Sequence, residues 1–362
     1  MSLSAFFSAN YQEARGKFLS VCATRNLQVE SIVNPNAKGP TGEDLCTDIA
    51  LIGPSNASKF LLITSGTHGV EGYCGSGVQV GLLQENYFKQ LPADTAVLMI
   101  HAVNPYGFAH DRRVNEDNID LNRNYIDHEA ARALPSKYPS IQSYILPDDW
   151  DGPDKKRADE GIAKFIDDHG MFAFQAAASG GQYHYPDGIF FGGEKLAWSW
   201  KMLQSVLTKF MGNANLVGAI DIHTGLGPYG YGELIGLGPT RQKELSKTWY
   251  PGQVTDPDAG TSTSAPVTGT VGHGVADILC DASIAFIALE YGTLEPDVVL
   301  DAIRADNWLY QKGDVDSDLG REIKTQVREA FYGDTDEWKM AVWTRACEVV
   351  DMTLKGLEQS NQ

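Results

Sequence analysis

With 362 residues, 43% of them hydrophobic, the chain can bury a large core in one extended α/β domain or two smaller ones. Its 29 basic and 47 acidic residues leave a formal charge of −18, which opposes binding to a nucleic-acid backbone or to an anionic membrane surface. No apolar run approaches the ~20 residues that span a bilayer, and five scattered cysteines without a CxxC pair point to a reducing cytoplasm and away from cysteine-ligated zinc. Residues 1–7 lack a basic segment and a long apolar run, and do not read as a signal peptide.

In chain order, residues 11–27 have helical spacing, with Ala14, Phe18 and Val21 on one side. Residues 28–33 and 47–52 are strand-like, and Asn34-Pro35-Asn36-Ala37-Lys38-Gly39-Pro40 between them reads as a turn or hairpin loop. A short aliphatic run at 60–64 predicts a buried strand, followed by a helix over 73–91 and a second buried strand over 96–104. Strand, helix, strand in that succession favours a parallel pair with a right-handed crossover. The Pro-, Asp- and Ser-rich stretch 135–153 predicts a surface excursion, 156–175 a helix, and 180–188 an aromatic, glycine-rich loop. A helix over 198–210 then leads into a strand at 216–222. Residues 255–274 are loop-like, 283–289 a strand, and 297–308, 319–331 and 337–357 helices. With no repeat, low-complexity tract or interdomain linker, one domain is expected over 1–362, with a motif-bearing core at about 45–295 and a helical C-terminal part at about 296–358.

The chemistry gathers where strands end. The first buried strand runs into Ser65-Gly66-Thr67-His68-Gly69-Val70-Glu71-Gly72, so His68 and Glu71 sit on a strand-end loop, where open α/β sheets place ligands. An imidazole and a carboxylate three residues apart can face one point if the glycines let the loop turn tightly. Two such ligands leave Zn²⁺ short of a full set. The strand at 216–222 ends in Asp221-Ile222-His223-Thr224-Gly225, and the one at 283–289 in Leu289-Glu290-Tyr291-Gly292. If these strands are parallel neighbours, His68, Glu71, His223 and Glu290 meet in one crevice. Two histidines and a carboxylate make an open zinc site, and a further carboxylate can take a proton from water. Each residue alone has a plainer reading: a structural histidine, a Glu290 paired with an arginine, an Asp221 capping a turn. Cys74 reads as a small buried residue opening a helix. The joint occurrence at three strand ends favours the site.

His68-x-x-Glu71, then Asn104-Pro-x-Gly107, Arg113-x-Asn115, Asp120-Leu-Asn122-Arg123-Asn124, His223 and Glu290 together resemble the zinc carboxypeptidase superfamily, which includes the aspartoacylase and succinylglutamate desuccinylase branch. The resemblance spans about 60–293 and implies an α/β fold with a mixed, mostly parallel central sheet of about eight strands flanked by helices. It also implies roles: His68, Glu71 and His223 as zinc ligands, Glu290 as general base and acid, and Arg113 as the group that stabilises the oxyanion, a part Arg112 could take in its place. Asn122 and Arg123 would grip a substrate carboxylate, a task that suits the planar fork of arginine. Asp221 could support His223 from behind. One departure stands out. Carboxypeptidases carry a mobile tyrosine in the segment that here runs from about 267 to 274, which holds Thr268, Thr270 and His273 but no tyrosine. Tyr183, Tyr229, Tyr231 or His273 could take its place, and the usual specificity position falls near Ala276.

The implied activity is zinc-dependent hydrolysis of an amide bond adjacent to a carboxylate, as in a metallocarboxypeptidase-like peptidase. An N-acyl amino-acid deacylase is the alternative within the same class, and a catalytically silent carboxylate-binding protein the alternative outside it. The expected partner is a small molecule or short peptide with a free carboxylate, with no nucleic acid and no membrane.

Overall fold

The structure, a computed structural model, describes residues 3–134 and 136–359. Eight strands form one mixed sheet: β1 (Val29–Lys38), β2 (Asp44–Ile52), β3 (Lys59–Ser65), β4 (Thr95–His101), β5 (Leu216–Tyr229), β6 (Gly232–Gly236), β7 (Val254–Thr255) and β8 (Ser283–Gly292). Their order is β1-β2-β4-β3-β5-β8-β6-β7. The central four, β4, β3, β5 and β8, run parallel, while β1 and β2 at one edge and β6 beside β8 introduce antiparallel pairs. This is the mixed, mostly parallel sheet that the sequence predicts.

Burial on both faces explains why the central strands read as continuous apolar runs. Along β3, Leu61 and Ile63 enter one core cluster, while Phe60 and Leu62 enter the other. The first cluster takes Phe18, Val78, Val327 and Val342 from four helices. The second takes Trp200 and Leu203 from the helix Trp198–Met211 and Val275 from the helix Val271–Ile278. Among the described residues no helix is long and apolar enough to cross a membrane.

The connections set the place of the site. β3 leads through the helix Gly72–Gln84 to β4 on one side of it, and the chain then returns to lay β5 on the other side. Strand order therefore reverses between β3 and β5, and a crevice opens at their carboxyl ends. Register places Thr64 beside Asp221 and His223 beside Glu290.

Several elements differ from expectation. β1 continues through the expected turn as far as Lys38, and the chain turns at 39–43 instead. An edge strand tolerates Pro35, and the register shifts between Val33 and Lys38 to accommodate it. The stretch expected as a surface excursion, whose first residue Pro135 lies outside the described residues, buries Tyr138, Ile141 and Ile145 against Phe165, Phe174 and Phe190. The helix expected at 156–175 is two, Pro153–His169 and Met171–Ser179, divided at Gly170, whose φ of 87° is glycine territory. β6, β7 and the helix Thr240–Trp249 are not among the predicted elements. The C-terminal part holds the three expected helices, Pro296–Lys312, Asp318–Phe331 and Asp336–Gln359.

Candidate active site

After β3 the chain turns at Gly66, with φ of 66°, and His68 enters a single 3-10 turn, Gly69–Glu71. The turn is locked from outside. Gly69 and Val70 donate their N–H groups to the carbonyls of Arg113 and Arg112, at 3.0 and 2.9 Å. A side chain at Gly69 would stand 2.1 Å from the Gly107 carbonyl carbon, so only glycine lets the two segments touch. Asn104 caps the helix Pro105–Ala109 by accepting the Gly107 N–H at 2.9 Å. The Asn104-Pro-x-Gly107 motif is thus the seat against which the His68 loop rests.

Three side chains converge at the crevice. Nδ1 of His68 lies 2.8 Å from Glu71 Oε1, Nδ1 of His223 lies 2.9 Å from Glu71 Oε2, and the two Nδ1 atoms are 3.2 Å apart. All three residues are buried. His68, Glu71 and His223 form a group whose donor atoms could hold a metal ion, since all lie within 4.8 Å of one another. Asp221 Oδ2 stands 2.7 Å from His223 Nε2, and its other oxygen accepts from the Thr64 and Thr67 hydroxyls at 2.6 and 2.9 Å. A fixed carboxylate there keeps the ring proton on Nε2 and turns the Nδ1 lone pair toward His68 and Glu71. Asp120 approaches His68 Nε2 in the same way, at 3.3 Å. Arg113 Nη2 stands 2.8 Å from that nitrogen, so the tautomer of His68 is less firmly fixed than that of His223. Each Nδ1 lies at hydrogen-bond distance from a Glu71 oxygen, and a metal ion would take the place of the protons shared there. The donor set fits a divalent ion.

The charges point the same way. Burial alone would raise the Glu71 carboxyl, but His68 and His223 outweigh it and bring it down to about 2. Burial opposes the charged form of His223 too, yet the Asp221 and Glu71 carboxylates hold its pKa well above the ordinary value. The cluster favours positive charge at its centre.

Glu290 follows in register on β8, beside His223, and accepts the Leu226 N–H at 3.0 Å. Burial and the nearby Glu71 charge push its carboxyl up to about 7, against the pull of His223. Arg113 donates Nε to Asp120 at 3.0 Å and Nη1 to Glu71 at 3.1 Å, which places its guanidinium beside His68 and Glu71. Arg112 turns the other way. It donates to Asp306 and Asn118 at 2.9 and 3.0 Å and stacks on Tyr310 at 3.8 Å, outside the site.

Arg123 is buried, yet its donors go to the carbonyl oxygens of Ser179 and Asn122, at 2.8 to 3.1 Å. Among the described residues no carboxylate lies within ion-pair distance of it; the Asp120 carboxylate acts on its charge from farther off while bound to Arg113. The Asn122 side chain accepts the Val271 N–H at 2.9 Å. His68, Arg113, Asn122, Arg123, His223 and Glu290 all line one cleft of about 1000 Å³. The seven residues singled out in the sequence therefore gather, with Glu71 beneath the two histidines.

Asp120 carries the most that sequence reasoning missed: it holds Arg113, faces His68, and accepts the Asn122 N–H at 2.9 Å. Its place at the head of the Asp-Leu-Asn-Arg-Asn block was the available signal. None of the residues considered in place of a mobile tyrosine reaches the cleft. Tyr183 donates to the Arg123 carbonyl at 2.8 Å, Tyr229 to Gly333 at 2.8 Å, His273 pairs with Thr270 at 2.9 Å, and Tyr231 is exposed. Nor does Ala276 line it; Thr263, Ser264, Ala265 and Val267 do. Their loop is fastened by the buried Glu233, which accepts from Thr255 at 2.5 Å and from Ser262 at 2.8 Å.

Residues 7–345 match the family described as "Protein of unknown function (DUF2817)". The chain belongs to the DUF2817 family. Several solved structures are similar to this DUF2817 chain. Bovine thrombin-activatable fibrinolysis inhibitor, in complex with tick carboxypeptidase inhibitor, is 14% identical over 95% of this chain and 98% of that one, with a TM-score of 0.43. Carboxypeptidase A from Helicoverpa armigera is 12% identical over 89% and 73%, with a TM-score of 0.42. Succinylglutamate desuccinylase from Chromobacterium violaceum is 16% identical over 89% and 73%, with a TM-score of 0.37. No curated protein matches the chain. At these identities and TM-scores the likeness carries no conclusion about chemistry, which rests on the site's own geometry.

Proposed function

We propose that the protein is a zinc-dependent hydrolase that cleaves an amide bond next to a carboxylate, as a metallocarboxypeptidase-like peptidase or an N-acyl amino-acid deacylase. The observation that carries this reading is the convergence of His68 Nδ1, His223 Nδ1 and both Glu71 oxygens on one point, with Glu290 one strand away. His68, Glu71 and His223 would hold the ion, a ligand set that leaves a coordination position open. When bound, zinc supplies a water of pKa lowered toward ~7 and polarises the scissile carbonyl.

The chain's own residues do the rest. Glu290 accepts the proton of the attacking water and hands it to the departing nitrogen, a double task helped by the burial and the Glu71 charge that raise its carboxyl. Arg113 donates to the carbonyl oxygen as negative charge develops there, in a cleft with no tyrosine among its lining residues to share the work. Arg123 and Asn122 fix the substrate carboxylate, which gives the buried guanidinium an anion at ion-pair distance. A silent binding protein would need Arg123 but not Glu290 in a dry position beside two histidines.

The test is turnover of N-acyl amino acids and short peptides by the zinc-loaded full chain, each beside its C-terminal amide. Hydrolysis of the free carboxylates, lost on chelation, restored by zinc and strongly reduced for the amides, is the expected result. Failure to hydrolyse any of them, with zinc shown to be bound, would overturn the proposal.

A further inference from the structure

The cleft extends far beyond the reacting groups. At about 1000 Å³ it lies at the upper end of small-ligand pockets, which run to roughly 300–1,000 Å³, and an acetylated or succinylated amino acid would occupy only a small part of it. Two helical walls bound the surplus. One is Ile162, Ile166 and Phe174, from the long excursion between β4 and β5, with Met171 at its rim. The other is Val298 and Ile303, from the helix Pro296–Lys312 that follows Glu290. Met171 and Val298 are 51% and 48% exposed, apolar groups turned to an open cleft instead of a core.

Charge narrows the occupant. The cations lining the cleft are Arg113, Arg123, Lys155 and Arg304. Arg113 is paired with Glu71 and Asp120. Lys155 is paired with Asp159 and Asp301 at 2.7 and 3.1 Å, and Arg304 with the same two acids at 3.0 and 2.7 Å. Among the described residues Arg123 alone of these has no acid within ion-pair distance, since the Asp120 that acts on it is bound to Arg113. One carboxylate satisfies it, whereas a second would meet Asp159, Asp301, Asp297 and Glu329 in the same cleft. A peptide running between the walls would press part of its backbone against Ile162, Ile166, Phe174, Val298 and Ile303, and amide groups at those side chains would be short of hydrogen bonds. A hydrocarbon chain meets no such penalty. It also outreaches any amino-acid side chain, which places it on the acyl side of the amide.

Building on the amide-hydrolase reading, we propose that the substrate is an amino acid N-acylated with a long, uncharged hydrocarbon chain, and that the two helical walls hold that chain. Hydrolysis puts the water oxygen on the acyl carbon and breaks the C–N bond, and the nitrogen leaves with the proton returned by Glu290. The products are a fatty carboxylate and a free amino acid.

The test uses zinc-loaded Glu290→Gln full chain, titrated calorimetrically with acetyl, butanoyl, octanoyl, dodecanoyl and succinyl derivatives of one amino acid and with an apolar tripeptide. Affinity should rise about threefold to fourfold per added methylene until the walls are filled, since that is what burying a methylene contributes. In the wild type, the ratio of dodecanoyl to acetyl kcat/KM should fall at least tenfold in Met171→Asp combined with Val298→Asp. A flat series, a succinyl derivative tighter than butanoyl, or a tripeptide tighter than dodecanoyl would overturn the proposal. Affinity rising with chain length in a wild type that hydrolyses none of the series would support the apolar walls and count against the proposed reaction alone.

Discussion

With a metal on Nδ1, the His223 ring would keep one proton, and Asp221 decides that it stays on Nε2. Residues two apart on a strand share a face, so a β5 that delivers His223 to the crevice delivers Asp221 beneath it, and the 2.7 Å contact to Nε2 follows. Asp221→Asn can turn its amide N–H toward Nε2 and push the ring proton onto Nδ1. We expect metal affinity to fall about 10- to 100-fold, read by competition with a chelator, while the fold persists; unchanged affinity would mean that Asp221 only braces Thr64 and Thr67. Glu290→Gln is expected to keep the metal and lose about 10²–10⁴ in kcat. Only the carboxylate can accept a proton, so wild-type kcat/KM should fall as pH drops through the Glu290 pKa. That carboxyl sits at about 7 beside Glu71, and a bound cation draws it lower, so the acid limb belongs at or below neutrality. That His68, Glu71, His223, Glu290, Arg113, Asn122 and Arg123 gather in one place was legible because each closes a strand or sits in an ordered motif. Asp120 was not, because its value lies in three contacts made across the fold. Which of Arg112 and Arg113 faces the site also needed the fold, since neighbours in a loop point apart.

Among the elements, the loop after β3 depends on a contact between two glycines distant in sequence. Gly69→Ala would drive a methyl into the Gly107 backbone, which cannot yield as a side-chain tip would. A loss of about 1–3 kcal/mol or more is expected, seen as a Tm several degrees lower. Metal affinity should fall with it, because His68 and Glu71 flank the displaced residue. An unshifted melting curve would show that the loop has room. The long central strands were readable from their apolar runs, as were the C-terminal helices from their spacing. Elements that depend on partners were not. β6 and β7 are five and two residues long and gain strand character only beside β8 and each other. β1 carries Pro35 through an edge, where a proline lacks nothing that the ladder requires. The stretch 135–153 looks polar because its few apolar residues, Tyr138, Ile141 and Ile145, are spread thinly; packed together they found a third core cluster, which supports a wall of the cleft.

Across the whole molecule, the buried Arg112 and Asp306 and the half-buried Lys324 tie the site's loop to the C-terminal helices, at 2.9 and 2.6 Å. Burial alone would raise the Asp306 carboxyl, but the two cations hold it below its ordinary value. A carboxyl depressed in the folded state stabilises the fold above its unfolded pKa of ~3.9, and that contribution is lost as pH falls through the folded value. Wild type should therefore lose stability in acid below about pH 4, and Arg112→Met should weaken this dependence. The same change should cost about 3 kcal/mol at neutral pH, the lower end for a broken buried pair because Lys324 remains. Denaturant titration at several pH values reads both, and equal slopes against pH in the two proteins would remove Asp306 from the account. The central claim is that His68, Glu71 and His223 hold one zinc ion. Elemental analysis of the purified chain after zinc loading and desalting tests it directly. One zinc per chain is predicted for the wild type and a large loss in His68→Ala and in His223→Ala; full zinc content in both variants, or none in the wild type, would contradict it.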